Sequence, residues 1–549
     1  MTRRPNPGAP RGTGRILYVS DPSSIAVALL PDPVRSDDLR RWVDMLADSG
    51  VDMFDQEVYS MCWSEYWRSE RIEYDQRQQH KRFIPMLDDG IQPLDVLIDQ
   101  SHKRSMAFIA GFRVNDTHGY KSLRGGRFPF VGTGIADVIE KHPEWELTDL
   151  PEGEPYCSSY ALDFSSRGVR DFTSGVMKEV VDRFDVDGLE LCYRDFGYFP
   201  LGKGPERAHV MTDFVREVRG ILDERGTSGG GRLLLGARVF STLEENLAMG
   251  LDVAAWVREG LLDYLSPQDG MFADFNLPFG EFSALTAASE CMLYPGLLPF
   301  TSQRARIRLK AAPLSSSTCR AYAHSCYQNG ADGISLFNHC IVTHNYPYYP
   351  QLMQIFHELR DPQEVAAGER HYIYDPLWSG VAGYGLDENA AADSIVLDRG
   401  TSGASGKVHL DLYEDVDLVH CIQFLFRGFG LSHNDELEVR FNGHLIEDSV
   451  IGRSRRSDTP PENIAGVQAT ARREESLRET GGRYWACVPE VRVDFVPAPR
   501  PELSSRWFML DLSTVVYGRN TLEITLRKSD PDASGEIVID EFEVWVRPR

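Results

Sequence analysis

The chain contains no long apolar run. Its nearest approach, ILYVSDPSSIAVALL at 16–30, is broken by Asp21, Pro22 and the serine pair Ser23–Ser24. Neither a spanning helix nor the apolar region of a secretory leader is therefore expected. Positive charge is also scarce. A net charge of −24 argues against a nucleic-acid partner and against an anionic membrane surface, since both need a basic face. The same balance suits neutral and cationic ligands alike and selects neither. Cysteine is sparse and unclustered: nine residues, with no CxxC pair and no zinc-type spacing. Without a leader, that pattern reads as reduced thiols in a cytoplasmic protein, most of them small buried hydrophobes. No GxGxxG follows the first apolar segment, GxxxxGK[ST] and HExxH are missing throughout, and the GxSxG match at 226–230 follows an expected helix rather than the strand that a nucleophile elbow needs. Dinucleotide, P-loop, zincin and serine-hydrolase readings all lose their support, and no cofactor is expected.

What the chain does contain is a repeating alternation. Short apolar segments at 15–20, 51–59, 106–115, 186–193, 233–239, 262–266, 291–294 and 333–338 are separated by amphipathic stretches. Helices are expected at 36–48, 94–103, 169–184, 208–225, 250–259 and 317–329, the last stopped by Gly330. Strands alternating with helices imply βα units around a parallel sheet. Eight units fit a (β/α)8 TIM barrel over 14–360, behind a basic, Pro/Gly-rich tail at 1–13; a doubly wound sheet is the alternative. After a linker at 361–375, residues 376–549 change to short alternating runs such as VHLDLY (408–413), CIQFLF (421–426), YWACVPEVRVDFV (484–496) and TLEITLR (521–527). These read as an all-β, jelly-roll-like sandwich. Phe441-Asn442-Gly443-His444 has the composition of a hairpin turn. The polar stretch 453–483 reads as a long loop.

Residues 183–199, RFDVDGLELCYRDFGYF, place one carboxylate, Glu190, inside an apolar strand. Such burial is costly unless the group is paired or used. Barrel chemistry is assembled at strand C-termini. Reading the strand ends in turn gives Asp21; Glu57; Arg113, Asn115, Asp116 and His118; Glu190, Arg194 and Asp195; Arg238; Asp269; Tyr294; and Asn338 with His339. Glu190, Cys192 and Arg194 share one face, as do Arg113 and Asn115. In this reading Arg194 holds Glu190 ionised. Carboxylates, arginines and aromatics (Tyr59, Trp63, Tyr66, Trp67, Phe128, Tyr198) together have the composition of a carbohydrate site. Glycosidic cleavage needs one carboxyl as acid and another as nucleophile or base. Glu190 is the expected catalytic group, with Asp269 as first choice of partner and Asp195 or Asp116 behind it. Arg113, Asn115, His118, Arg194, Arg238, Trp63, Tyr294, Asn338 and His339 are the expected sugar-binding residues.

Five segments carry a family resemblance: FRVNDTH (112–118), KHPEW (141–145), YALDFSSRGVRDF (160–172), DVDGLELCYRD (185–195) and LDVAAWVREGLLDYLSP (251–267). Together they resemble the glycoside-hydrolase-like (β/α)8 proteins that carry a C-terminal β-sandwich. The resemblance implies carbohydrate hydrolysis as a class, without fixing a sugar. It also implies an Asp after Leu-Glu-Leu, where this chain has Cys192. That departure keeps two alternatives in view. One is a non-catalytic carbohydrate-binding protein. The other is a metal-dependent or lyase-type enzyme drawing on Asp116 and His118 with Asp21 or Asp163. The sandwich is expected to pack against the barrel, and its open edges leave a homo-oligomer open.

Overall fold

The computed structural model describes residues 15–22, 30–116, 136–147, 161–193, 197–229, 231–268, 273–301, 312–337, 339, 351–374, 394–432, 434–446, 453–456 and 503–549. Eight parallel strands form a ring. They are β1 (Arg15–Ser20), β2 (Met53–Ser60), β3 (Ala107–Arg113), β4 (Gly188–Cys192), β5 (Leu234–Val239), β6 (Tyr264–Pro267), β7 (Met292–Leu293 and Gly296–Leu297) and β8 (Gly333–Phe337). The split seventh strand closes the ring: its first piece pairs with β6, its second with β8, and β8 pairs with β1. Helices connect the strands on the outside. In the first, Ser36–Asp48, the buried residues Leu39, Trp42, Val43 and Leu46 fall at helical spacing and make one core-facing stripe.

The N-terminal end of the barrel is locked by one device used four times. Asp52, Asp187, Asp263 and Asp332 each immediately precede an even-numbered strand. Each carboxylate accepts the backbone N–H of Ile16, Phe108, Leu235 or Leu293 in the preceding odd strand, at 3.0, 2.8, 2.8 and 2.9 Å. Each Asp also donates its own backbone N–H to the carbonyl of the same residue. The side chain thus continues the ladder past the first residue of the strand, where an N–H would otherwise lack an acceptor. Arg360 backs Asp52, His102 backs Asp187, and Arg219 with Arg232 backs Asp263.

The lumen is filled by side chains from alternate positions. Two close approaches require glycine: a Cβ at Gly111 would lie 2.4 Å from the Asp55 carboxyl, and one at Gly236 would lie 1.9 Å from the Tyr264 ring. The seventh strand runs further than its sequence suggests. Tyr294 was expected to close it at the mouth, but the strand continues to Leu297. The Tyr294 ring packs on Gly333, the first residue of β8, with Arg15 near its hydroxyl. It therefore belongs to the bottom of the barrel.

Two antiparallel sheets follow. The first orders strands 370–374, 536–548, 419–429, 503–510 and 453–456, with 395–398 also on 536–548; the second orders 405–412, 518–528, 436–441 and 444–445. Strand Gly518–Lys528 alternates buried and half-buried positions, as a sandwich requires. Asn442 and Gly443 both take positive φ, 50° and 81°, and form the expected hairpin turn. The expected loop at 453–483 begins instead with a strand: Arg453–Arg456 pairs with 503–506 as the sheet edge. The stretch 361–375 contains a short helix, Pro362–Ala367, and the strand Arg370–Tyr374. The run 484–496 lies outside the described residues. Sandwich and barrel meet through Glu414, which takes the Arg370 fork at 2.7 Å on each oxygen, the Tyr372 hydroxyl at 2.5 Å, and His324 of the barrel helix Ser316–Gln328 at 3.6 Å.

The aspartate lock yields a stability test. Asp187→Ala leaves the buried Phe108 N–H without an acceptor, at a cost of about 1–3 kcal/mol, whereas Asp187→Asn keeps an acceptor oxygen. Thermal unfolding should show a lower Tm for the Ala variant and recovery of most of the loss in the Asn variant. An unchanged Tm in Asp187→Ala would contradict the assigned role.

Candidate active site

Two layers of charge occupy the barrel. The lower layer is built on Arg238 of β5, which has no exposed surface. Its Nε donates to Glu190 Oε1 at 2.8 Å and its Nη2 to Glu190 Oε2 at 3.3 Å. Nη1 donates to Gln268 Oε1 at 2.7 Å, and Nη2 also donates to Ser335 Oγ at 2.8 Å. One guanidinium thus joins β4, the residue after β6, and β8. Asp55 of β2 faces Glu190. Burial, with the charges of Glu190 and Glu57, holds the Asp55 carboxyl well above the ordinary carboxylate range. The cation that pairs with Glu190 here is therefore Arg238; Arg194, expected in that role, lies outside the described residues.

The upper layer sits at the strand C-termini and is built on Arg113. Its guanidinium lies 3.1 Å from Asp21, 3.1 Å from Asp116 and 4.0 Å from Glu57. Carboxylates from the ends of β1, β2 and β3 thus converge on one cation. Asp21 is the most open of them, with 20 % of its side chain exposed.

The other expected site residues fall in different places. Asn115 is buried and gives its amide to backbone: Nδ2 donates to the carbonyls of Leu162 (3.0 Å) and Gly197, and Oδ1 accepts from Leu162 N–H (3.0 Å). It joins two mouth loops together and turns no free amide to the mouth. Trp63 is only 1 % exposed, because the arm Trp63–Ser64 folds back antiparallel onto β2. Tyr59, Tyr66, Trp67 and Tyr198 are equally buried. Tyr59 stacks on Phe112, and Trp67 packs edge-on against Phe184. Among the described residues, the aromatics read as a sugar platform are therefore core packing. His339 is buried too; it bonds the Leu297 carbonyl at 2.9 Å, and burial pushes its pKa down to about 4. His118, Phe128, Asp195, Asp269 and Asn338 lie outside the described residues.

Sequence reasoning missed Asp55, Glu65 and Arg77. For the first there was a signal: Asp55 and Glu57 are spaced by two within an apolar strand, the pattern that drew attention to Glu190. Glu65, Asp75 and His80 place three ligand-type atoms within 4.8 Å of one another. Arg77 already occupies that space, however, at 2.9 Å from Glu65 and 2.5 Å from Asp75. The positive charge an ion would supply is present as a guanidinium.

Asp55 gives the lower layer a pH signature. Its folded pKa is raised above the ordinary value of 3.8. The folded state therefore holds a proton that the unfolded chain releases. Stability from this group is complete below about pH 4 and is lost as pH rises through the folded pKa. Asp55→Asn mimics the protonated form. Its Tm should exceed that of the unsubstituted protein at pH 7, and the gap should close toward pH 4. A pH-independent difference would show that Asp55 does not titrate between the two states.

Residues 34–212 match the model of the family described as Glycosyl hydrolase-like 10. Among characterised relatives, the glycosyl hydrolase DigH of Escherichia coli (strain K12) is 24 % identical over 214 residues, covering 33 % of this chain and 46 % of DigH. The chain thus spans about half the length of the curated relatives it matches. Among solved structures, the PgaB (BpsB) glycoside hydrolase domain from Bordetella bronchiseptica aligns over 62 % of this chain and 98 % of its own, at 12 % identity and a TM-score of 0.42. Alpha-L-fucosidase isoenzyme 2 from Paenibacillus thiaminolyticus aligns over 65 % of this chain and 51 % of its own, at 12 % identity and a TM-score of 0.39. Among the described residues, no helix is long and apolar enough to cross a membrane. By the architecture of its strands the chain is a (β/α)8 barrel followed by a β-sandwich, and over residues 34–212 it is similar to the glycosyl hydrolase-like family.

Proposed function

We propose that the protein is a glycoside hydrolase whose reaction takes place at the barrel mouth, on the carboxylates gathered by Arg113. The observation that carries this reading is the convergence of Asp21, Glu57 and Asp116 on one guanidinium at the ends of three neighbouring strands. Hydrolysis of a glycoside needs one carboxyl to protonate the leaving oxygen and a second to attack or to activate water. Asp116 is assigned as one of the pair. Asp21, which meets the same Arg113 nitrogen and is partly exposed, is the partner offered for it, while Asp269 and Asp195, outside the described residues, stay eligible by their places in the sequence. Glu190 takes a different part from the one its sequence context suggested. It has no exposed surface and both its oxygens lie on Arg238. It is assigned to the floor that fixes the mouth from below.

The alternative reading, a carbohydrate-binding protein without turnover, is favoured by one observation. The lumen-facing position at the end of β4 is a buried Cys192, where the family resemblance places an Asp.

A panel of aryl glycosides and oligosaccharides decides between the two: turnover supports the hydrolase, and binding without turnover supports the alternative. Two substitutions then separate mouth from floor. Asp116→Asn should lower kcat by roughly 10²–10⁴-fold and lower Tm less than the floor substitution, because Asp21 and Glu57 still face Arg113. Glu190→Gln leaves Arg238 buried without its counter-charge and should cost on the order of 3–5 kcal/mol of stability. A Glu190→Gln variant that keeps its Tm and loses turnover would reverse the assignment and make Glu190 catalytic.

A further inference from the structure

The chain leaving β2 at the barrel mouth is strained. Met61, Cys62 and Tyr66 all take positive φ, 53°, 62° and 70°. None is glycine, and all three are buried, at 1 %, 6 % and 0 % exposure. Such residues persist only where the surroundings over-determine them, and they gather at functional sites.

The surroundings here centre on Arg77. Its Nη2 donates to Ser60 Oγ at 3.0 Å and to Glu65 Oε1 at 2.9 Å, and so brackets the turn from both sides. Its Nε donates to Asp75 Oδ2 at 2.7 Å, and its backbone N–H to Asp75 Oδ1 at 2.7 Å. His80 lies 3.4 Å from Asp75 and meets the Tyr66 ring edge-on at 5.9 Å between centroids. The Tyr66 hydroxyl donates to the Pro22 carbonyl at 2.6 Å, which ties this loop to the one that carries Asp21. Asp116 acts electrostatically on Cys62, Glu65 and Arg77, so the cluster stands beside the mouth. Five carboxylates (Asp21, Glu57, Glu65, Asp75 and Asp116) and two guanidiniums (Arg77 and Arg113) therefore form one connected assembly.

We infer that Arg77 is a positioning residue for this mouth: it holds the left-handed Met61–Cys62 turn closed and, through Tyr66 and Pro22, fixes the wall that carries Asp21 beside Asp116. The inference rests on the proposed glycoside hydrolysis for its catalytic consequence, but not for its structural one. A guanidinium fork is needed because three acceptors must be met at fixed angles; a lysine offers one compact charge and cannot span them.

The test uses the full chain and two readouts. In Arg77→Met, hydrogen exchange should rise in peptides covering 58–66 and 20–22 and stay unchanged in the remote helix Ser316–Gln328. On the best substrate of the glycoside panel, kcat should fall by about 10²-fold, the scale of a misplaced reacting group, with a smaller change in KM. Arg77→Lys should restore part of the loss. If Arg77→Met does not fold, Ser60→Ala removes one of the fork's acceptors without stranding a charge, and should show the same local exchange at smaller amplitude. Unchanged exchange at 58–66 in Arg77→Met, or in Ser60→Ala where that variant must stand in, overturns the inference. So does a rise spread evenly over the barrel. Failure of the hydrolase reading looks different: the unsubstituted protein turns over no glycoside, while the exchange result still decides the role of Arg77.

Discussion

A guanidinium with no exposed surface must find every partner inside the protein, and Arg238 finds them by spanning the barrel. Its fork takes both oxygens of Glu190 on β4, and it reaches Gln268 beyond β6 and Ser335 on β8. Stranding either charge of such a pair is expensive, because the low-dielectric interior offers no water in exchange. The pair therefore commits β4, β5, β6 and β8 to one register. Asp55, facing Glu190 from β2, extends the same constraint to a fifth strand. The mouth above inherits its geometry from this layer.

The opposite end of the ring is fixed by a different economy. Four aspartates do with one side chain each what a further ladder residue would do, and they do it at the start of every even strand. The barrel is thus pinned at its bottom by neutral-donor bonds to carboxylates and at its middle by a charge pair. The mouth is left to loops, and there the left-handed Met61, Cys62 and Tyr66 occur together with crowded carboxylates. Rigid strands carrying a strained, acid-rich rim are the arrangement in which loop chemistry can be held still.

Much of the fold was legible because periodicity reports burial directly. Alternation of apolar runs with helical stripes marked the eight strands, and the change to period-two runs marked the sandwich. Glu190 stood out because a carboxylate in an apolar strand is costly; its partner did not. Arg238 lies 48 positions away, and Arg194, four positions away on the same face, was the natural guess. Glu57 was read as a strand-end residue, whereas Asp55, which carries the same period-two signal with it, was passed over because it lies further down the strand from the mouth. The aspartates before β2, β4, β6 and β8 each follow an apolar residue, in Val51-Asp52, Val186-Asp187, Leu262-Asp263 and Ala331-Asp332. That repeat becomes visible only once the strands are in register. The aromatics misled because composition cannot distinguish a stacking platform from a core: Trp63 and Tyr66 are inside only because the chain doubles back after Ser60.

The central claim is that carbohydrate is bound at the mouth, on the acids gathered by Arg113, above a sealed charged floor. A crystal structure of the protein with an oligosaccharide chosen from the glycoside panel tests it most directly. The account predicts sugar density within hydrogen-bond distance of Arg113 and of Asp116 or Asp21, with Arg238 still closed on Glu190 beneath it. Sugar contacting Glu190 in an opened lumen, or bound on the β-sandwich alone with the mouth unoccupied, would contradict it.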